Sequence, residues 1–204
     1  MVTKEKSRRG RPRNFDLDEA ISQAMDLFYR NGYDGVGVAE LSQTIGITAP
    51  SLYAAFGSKR ELFRQVLQRY AQTQGSWLPQ ALAEGDSLEQ SIALLFLKAA
   101  EVYSADPDRP GCLAIDGTRN CSDAEACELT AQMRQAARVG VRDLISAAAT
   151  NLAAAEADAL ADYVAMILVG LSGSARDGVA VETLRASAEI AAEGFVQRLR
   201  QYDR

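Results

Sequence analysis

The stretch from Val38 to Phe63, VAELSQTIGITAPSLYAAFGSKRELF, constrains the fold more than any other part of the chain. Val38, Leu41 and Ile45 fall at i, i+3 and i+7, one apolar face of a short helix. Gly46 follows, a residue that tolerates the left-handed conformation at a helix end. Ile47 then packs inward, and Thr48 offers a side-chain oxygen as the N-cap of a second segment, Ala49 to Phe56. Pro50 stands in the first turn of that segment, where a missing N–H costs nothing. Leu52 and Phe56 face inward and leave Ala49, Pro50, Ser51, Tyr53 and Ala54 on the other sides. Gly57 stops the segment, and Ser58 with Glu61 makes a capping-box start for a third helix through Leu62, Phe63, Val66 and Leu67.

Helix, glycine-containing turn, and helix with a small, polar outer face is the helix-turn-helix pattern. An ordinary surface helix would carry Glu, Lys and Gln on that face. This one carries small residues and one Tyr, which suit close approach to a groove; three short helices of a plain bundle are the bland alternative. The run also resembles the TetR family of bacterial repressors, in Gly46-Ile47-Thr48, Ser51-Leu52-Tyr53, Phe56 and Ser58-Lys59-Arg60-Glu61-Leu62-Phe63. The resemblance covers residues 14 to 72 by its motifs and the remainder by helical layout. It implies an all-α chain: a basic arm over 1–13, an N-terminal three-helix helix-turn-helix domain over 14–60, and a C-terminal helical effector-binding and dimerisation domain over 61–204. It also implies that Lys59, next to the N-cap Ser58, grips the DNA backbone. The family usually has Thr or Ser where Val36 and Gly37 stand, so one phosphate contact is in doubt, although the helix N-terminus itself can still receive a phosphate.

Composition narrows the chemistry. The 204 residues contain no His, which rules out Ser–His–Asp catalysis and His-ligated zinc together. No GxGxxG or phosphate-loop motif is present, so an enzyme is not expected, nor a cofactor. Three Cys at spacings of nine and six match no usual zinc signature and, unpaired, fit a reducing cytoplasm. No apolar run is long enough to cross a bilayer, and the basic start has no apolar stretch behind it, unlike a signal peptide. The net charge of −5 looks wrong for a DNA binder until it is split: residues 1–70 carry +3 and the remainder −8. Lys4, Lys6, Arg8, Arg9, Arg11 and Arg13 stand against Glu5 alone. Such an arm is either a solvated tail or, placed ahead of a helix-turn-helix, a segment whose Arg11 and Arg13 lie along phosphates or enter the minor groove.

The remaining helices follow from periodicity and breakers. Leu17 to Asn31 carries an apolar stripe behind an Asp16/Glu19 capping pair. The helix opened by Ser58 continues to about Gly75, and Trp77-Leu78-Pro79 begins a turn region ending at Gly85-Asp86. Asp86 with Glu89 starts a helix closing near Tyr103, and two prolines and a glycine mark 106–111 as a loop. Ser122 with Glu125 starts a helix to about Ala149; two more run about Ala155 to Ser174 and Val181 to Tyr202. These last two are apolar over more than one face and rich in Ala and Gly, which points to a second copy covering them as a homodimer; intramolecular packing is the alternative.

Two kinds of protein fit this pattern. One is a ligand-responsive transcriptional repressor that binds a palindromic operator in double-stranded DNA and is released by a small-molecule effector. The other is an architectural DNA-associated protein without an effector. In the first, Thr48, Ala49, Pro50, Ser51 and Tyr53 face the major groove, with methyl contacts, DNA shape and the N-terminal arm supplying specificity in the absence of Arg, Asn or Gln on that helix. Candidate effector contacts are Trp77, Phe96, Tyr103, Cys112, Arg119, Tyr163 and Met166, each otherwise plain core or surface. Pro110-Gly111-Cys112-Leu113 followed by Cys121-Ser122 resembles a TetR subgroup, some of whose members respond to oxidants, electrophiles or metals. Cys121, just before the cap residue Ser122 and near Arg119, is placed for a stabilised thiolate and thus for redox or electrophile sensing, with Cys112 as a bridging partner. Cys127 is expected too far along its helix to bridge to Cys121.

Overall fold

The structure is a computed structural model, and it describes residues 15–202. Among these, every regular element is helical. Helix α1 spans Leu17–Gly35, α2 Val38–Ile45, α3 Ala49–Phe56 and α4 Lys59–Gln72. They are followed by α5 (Trp77–Glu84), α6 (Leu88–Ser104), the single turn α7 (Leu113–Asp116), α8 (Ala124–Ala148), α9 (Ala154–Arg176) and α10 (Val181–Tyr202). No helix of the described residues is long and apolar enough to cross a membrane.

The first four helices close around aromatic rings. Phe28 of α1 sits edge-on to Phe63 of α4 at 4.9 Å between centroids, and Tyr33 stacks on Phe28 at 5.9 Å. Leu41, Leu52 and Phe56 bury the inner faces of α2 and α3 beneath them. Asp16 caps α1 by accepting from the amides of Asp18 and Glu19. That helix runs past the expected end at Asn31, to Gly35, with an interruption at Gly32 (φ 68°, ψ 172°) that lets the chain resume its turn with Tyr33 buried. Gly37 is the N-cap of α2 and supplies no side-chain bond.

The body is built from α5–α10, with α6 packed on α10, α5 and α9, and α8 packed on α9. Within the body, three starts differ from the sequence expectation. Residues 77–84 form a helix and not a turn region, because Pro79 falls in the first turn, where its missing N–H has no intrahelical partner, and Trp77 and Ala81 bury against the body. Ser87, not Asp86, caps α6, accepting from the Gln90 amide at 3.2 Å. Asp123, not Ser122, caps α8, accepting from Glu125 and Ala126 at 3.1 Å each. Ser122 is drawn away to Asp34 of α1, which accepts from its amide at 2.6 Å and its hydroxyl at 2.8 Å.

Candidate nucleic-acid interface and interior cavity

The turn between α2 and α3 depends on Gly46 in the left-handed region (φ 74°), from which the Ile47 amide reaches back to the Ser42 carbonyl at 3.0 Å. Thr48 then caps α3, its hydroxyl accepting from the Ser51 amide and bonding the Ser51 hydroxyl at 3.0 Å. With Leu52 and Phe56 buried, the face formed by Thr48, Pro50, Ser51, Tyr53 and Ala54 is exposed, and Ala49 is half-buried. Tyr53 stands 49% exposed, a large ring presented to solvent from an eight-residue helix. Beside this face, Ser58 caps α4 by accepting from the Glu61 amide at 3.0 Å. Glu61 completes no capping box; its carboxylate pairs with Arg64. Lys59 extends over the Tyr33 ring, its Nζ 4.1 Å from the centroid. Arg11 and Arg13 lie outside the described residues.

A cavity of about 320 Å³ lies behind this unit. Its walls come from Tyr70 and Ala71 at the end of α4, Trp77, Leu78 and Pro79 of α5, Tyr103 of α6, and Cys112, Ala114 and Ile115 around α7. The far walls are Met133, Arg134, Ala137, Arg138 and Val141 of α8 with Ala161, Val164, Ala165, Leu168 and Val169 of α9. Of the expected effector contacts, Trp77, Tyr103 and Cys112 meet here, and Trp77 sits edge-on to Tyr103 at 5.7 Å. The other four do not line the cavity. Phe96 is fully buried against the half-buried Tyr163, whose hydroxyl donates to the Ala191 carbonyl at 2.8 Å, so both lock α6, α9 and α10 together. Arg119 pairs with the buried Asp116 at 3.0 Å, and Met166 is 64% exposed on the outer face of α9. The residues missing from the sequence reading are chiefly Tyr70, Arg134 and Arg138. The apolar contributors Met133, Val141, Val164 and Leu168 stand out as helical stripes, but a stripe looks the same whether it faces a side chain or a void.

The cavity's inner end is polar yet uncharged. The Tyr70 hydroxyl and the Cys112 thiol are 3.1 Å apart, and Tyr103 lines the same cavity. Burial pushes all three groups up from their ordinary ionisation ranges, so each keeps its proton. Behind Cys112, Asp116 accepts from the Cys112 amide at 3.3 Å and from the Ser172 hydroxyl at 2.6 Å.

Cys121 does not carry the thiolate expected from its place in the sequence. Its thiol is pushed up to about 12, first by burial and further by Asp34, to whose carboxylate it donates at 3.4 Å. The cap displaced to Asp123 and the neighbouring carboxylate together undo the expected activation. Cys127 also differs from expectation: α8 begins at Ala124, so Cys127 lies about one turn in and its thiol donates to the Cys121 carbonyl at 3.5 Å.

An exposed helix-turn-helix unit joined to a helical body with an interior cavity is the architecture of a DNA-binding transcription regulator. Residues 20–66 match the family model described as bacterial regulatory proteins, tetR family. Along nearly its whole length the chain is similar to the HTH-type transcriptional repressor BdcR of Escherichia coli K12, 37% identical over 96% of this chain and 97% of that one. A second repressor of the same organism, ComR, is 34% identical over 88% of each. In structure, the chain matches a cysteine mutant of the TetR regulator CifR complexed with 26 bp operator DNA, at a TM-score of 0.82 and 34% identity over 90% of this chain and 98% of that one. The chain belongs to the TetR family.

Proposed function

We propose that the protein is a repressor that holds a palindromic operator as a homodimer and lets it go when a small molecule fills the α4–α9 cavity. The observation that carries this reading is the double role of α4. Its first residue, Lys59, lies beside the exposed face of α3, and its last turn supplies Tyr70 and Ala71 to the cavity wall. A ligand pressing on Tyr70 acts at the far end of the helix that positions the groove-facing unit. The exposed faces of α9 and α10 support pairing of two copies: Met166, Val169 and Ile190 are 64%, 41% and 69% exposed, with Gly170 allowing close approach. Two such copies about a two-fold axis would set their α3 helices roughly 34–36 Å apart, one turn of DNA. Thr48, Ala49, Pro50, Ser51 and Tyr53 then meet base edges and thymine methyls, while Lys59, Arg11 and Arg13 meet phosphates.

The test is binding of the purified protein to the DNA flanking its own gene, with and without candidate metabolites. Saturable release by a small molecule supports the reading; tight binding to one site that no cavity-filling molecule relieves favours a DNA-associated protein without an effector. Lys59→Ala should weaken operator and random DNA about equally and flatten the salt dependence by about one unit of slope per protomer. A changed sequence preference with an unchanged salt slope would remove Lys59 from the phosphate contacts.

A further inference from the structure

On the reading that this cavity is the effector site, its charges narrow what it takes. Five of its lining residues can ionise: Tyr70, Tyr103, Cys112, Arg134 and Arg138. The two phenols and the thiol keep their protons, so the wall carries two guanidinium charges and no carboxylate.

The two arginines, one turn apart on α8, are in different states. Arg138 is claimed by Asp158 at 3.1 Å and by Asp162, both on α9 and neither part of the cavity wall. Arg134 has no such partner. Among the described residues no carboxylate pairs with it, and its Nη1 donates to the neutral Ala114 carbonyl at 2.7 Å. That bond uses one N–H of the guanidinium and none of its charge. Arg134 is also half-buried, so less solvent screens it than screens a cation in open water. The rest of the wall is chiefly apolar, with Trp77, Met133, Val141, Val164 and Leu168 among its residues. A volume of about 320 Å³, at the low end of small-molecule sites, suits one ring with a short chain.

We infer that the effector is a small organic monoanion, with a carboxylate held by Arg134 and an otherwise apolar body lying against Trp77. The planar fork of a guanidinium takes both carboxylate oxygens at once. One unclaimed guanidinium matches one negative charge; a second charge on the ligand would be desolvated without a partner, which is costly.

Three probes of one outline differ only in head group: phenylpropionate, phenylpropanol and phenylpropylamine. Trp77, the single tryptophan, reports occupancy through its fluorescence in the full-length protein. Phenylpropionate should change that signal saturably and bind at least about tenfold tighter than the alcohol, with the amine, a cation beside a cation, weakest of the three. Arg134→Met should cost the carboxylate about ten- to a hundredfold in affinity and leave the alcohol within about threefold. Arg134→Lys keeps the charge and loses the fork, so its carboxylate affinity should fall between; it also serves if the Met variant folds poorly.

The inference is overturned if the alcohol or the amine binds within about threefold of the carboxylate. It is equally overturned if no probe gives a saturable signal, or if Arg134→Met weakens carboxylate and alcohol alike. Operator binding followed in the same samples separates the ligand class from the control of DNA. An amine or alcohol that outbinds the carboxylate and releases DNA would refute the ligand class and leave the effector-controlled repressor standing. Phenylpropionate that binds through Arg134 without loosening DNA would do the reverse.

Discussion

The α1–α4 unit is held together and held to the body by different forces. Inside the unit the contacts are rings: Phe63 lies 4.9 Å from Phe28 and 5.0 Å from Tyr33, and the Tyr29 and Tyr70 rings meet edge-on at 6.1 Å. Between the unit and the body, polar bonds flank a hydrophobic core that runs through both. Asp34 accepts from Ser122, the Tyr33 amide donates to the Gly117 carbonyl at 2.7 Å, Asp26 binds Arg109 at 2.9 Å, and Arg60 binds Glu125 at 2.8 Å. Packed rings resist small displacements, because an interior at crystal-like density has no spare room. Exposed ion pairs and hydrogen bonds are individually weak and exchange readily with water. The exposed polar part of this junction is therefore easier to displace than the ring cluster inside the unit.

The largest test of that contrast is Phe63→Ala. Deleting the ring at the centre of the cluster should cost about 3–5 kcal/mol in urea unfolding and abolish DNA binding with it. A loss below about 1 kcal/mol would mean the rings do not hold the unit.

Asp34→Asn probes the seam and should leave the unit's interior intact. The Ser122 amide, then its hydroxyl, hold the Asp34 carboxyl below its usual range. A carboxylate depressed on folding contributes stability that is present above its unfolded value and is lost as pH falls through its folded one. Melting temperatures measured between about pH 6 and 3 should therefore fall less steeply in the Asn variant than in the wild type. Identical slopes would show that this tie contributes nothing.

The smallest effect concerns Cys121, at the same seam. With its thiol pushed up to about 12, peptide mapping after iodoacetamide at pH 8 should find Cys121 modified at least about tenfold more slowly than a free cysteine. Removing the negative charge in Asp34→Asn should speed it. Modification at the rate of a free thiol would restore Cys121 as a sensor.

How far the chain declares this arrangement in advance is clearest from α3 and α5, both eight residues long with a proline in the first turn. The first is legible because local signals agree: Gly46 ends the helix before it, Thr48 caps it, and Leu52 and Phe56 mark its inner side. The second begins at Ser76, which makes no side-chain cap bond, so Trp77-Leu78-Pro79 looks like a turn. It is helical because Trp77 finds Tyr103 some twenty-six residues away, a tertiary fact that no local pattern carries. The same holds for the cavity. Trp77, Tyr103 and Cys112 stand out as amphipathic groups, but Tyr70, Arg134 and Arg138 come from helices whose meeting depends on the whole fold. The misplaced cap at Ser122 has a similar cause, since Asp34 competes for its hydroxyl from eighty-eight residues away.

Gly32 gives the seam a readable signature. By breaking the α1 ladder it frees the Tyr33 amide to donate across to Gly117 at 2.7 Å. A proton inside an unbroken helix trades with deuterium only when that helix opens, but the Tyr33 proton trades when the two bodies part. Its exchange rate, set against that of a neighbouring amide such as Phe28 within the same helix, is thus a clock for the separation alone, and whatever tightens or loosens the junction will change its rate without changing its neighbour's.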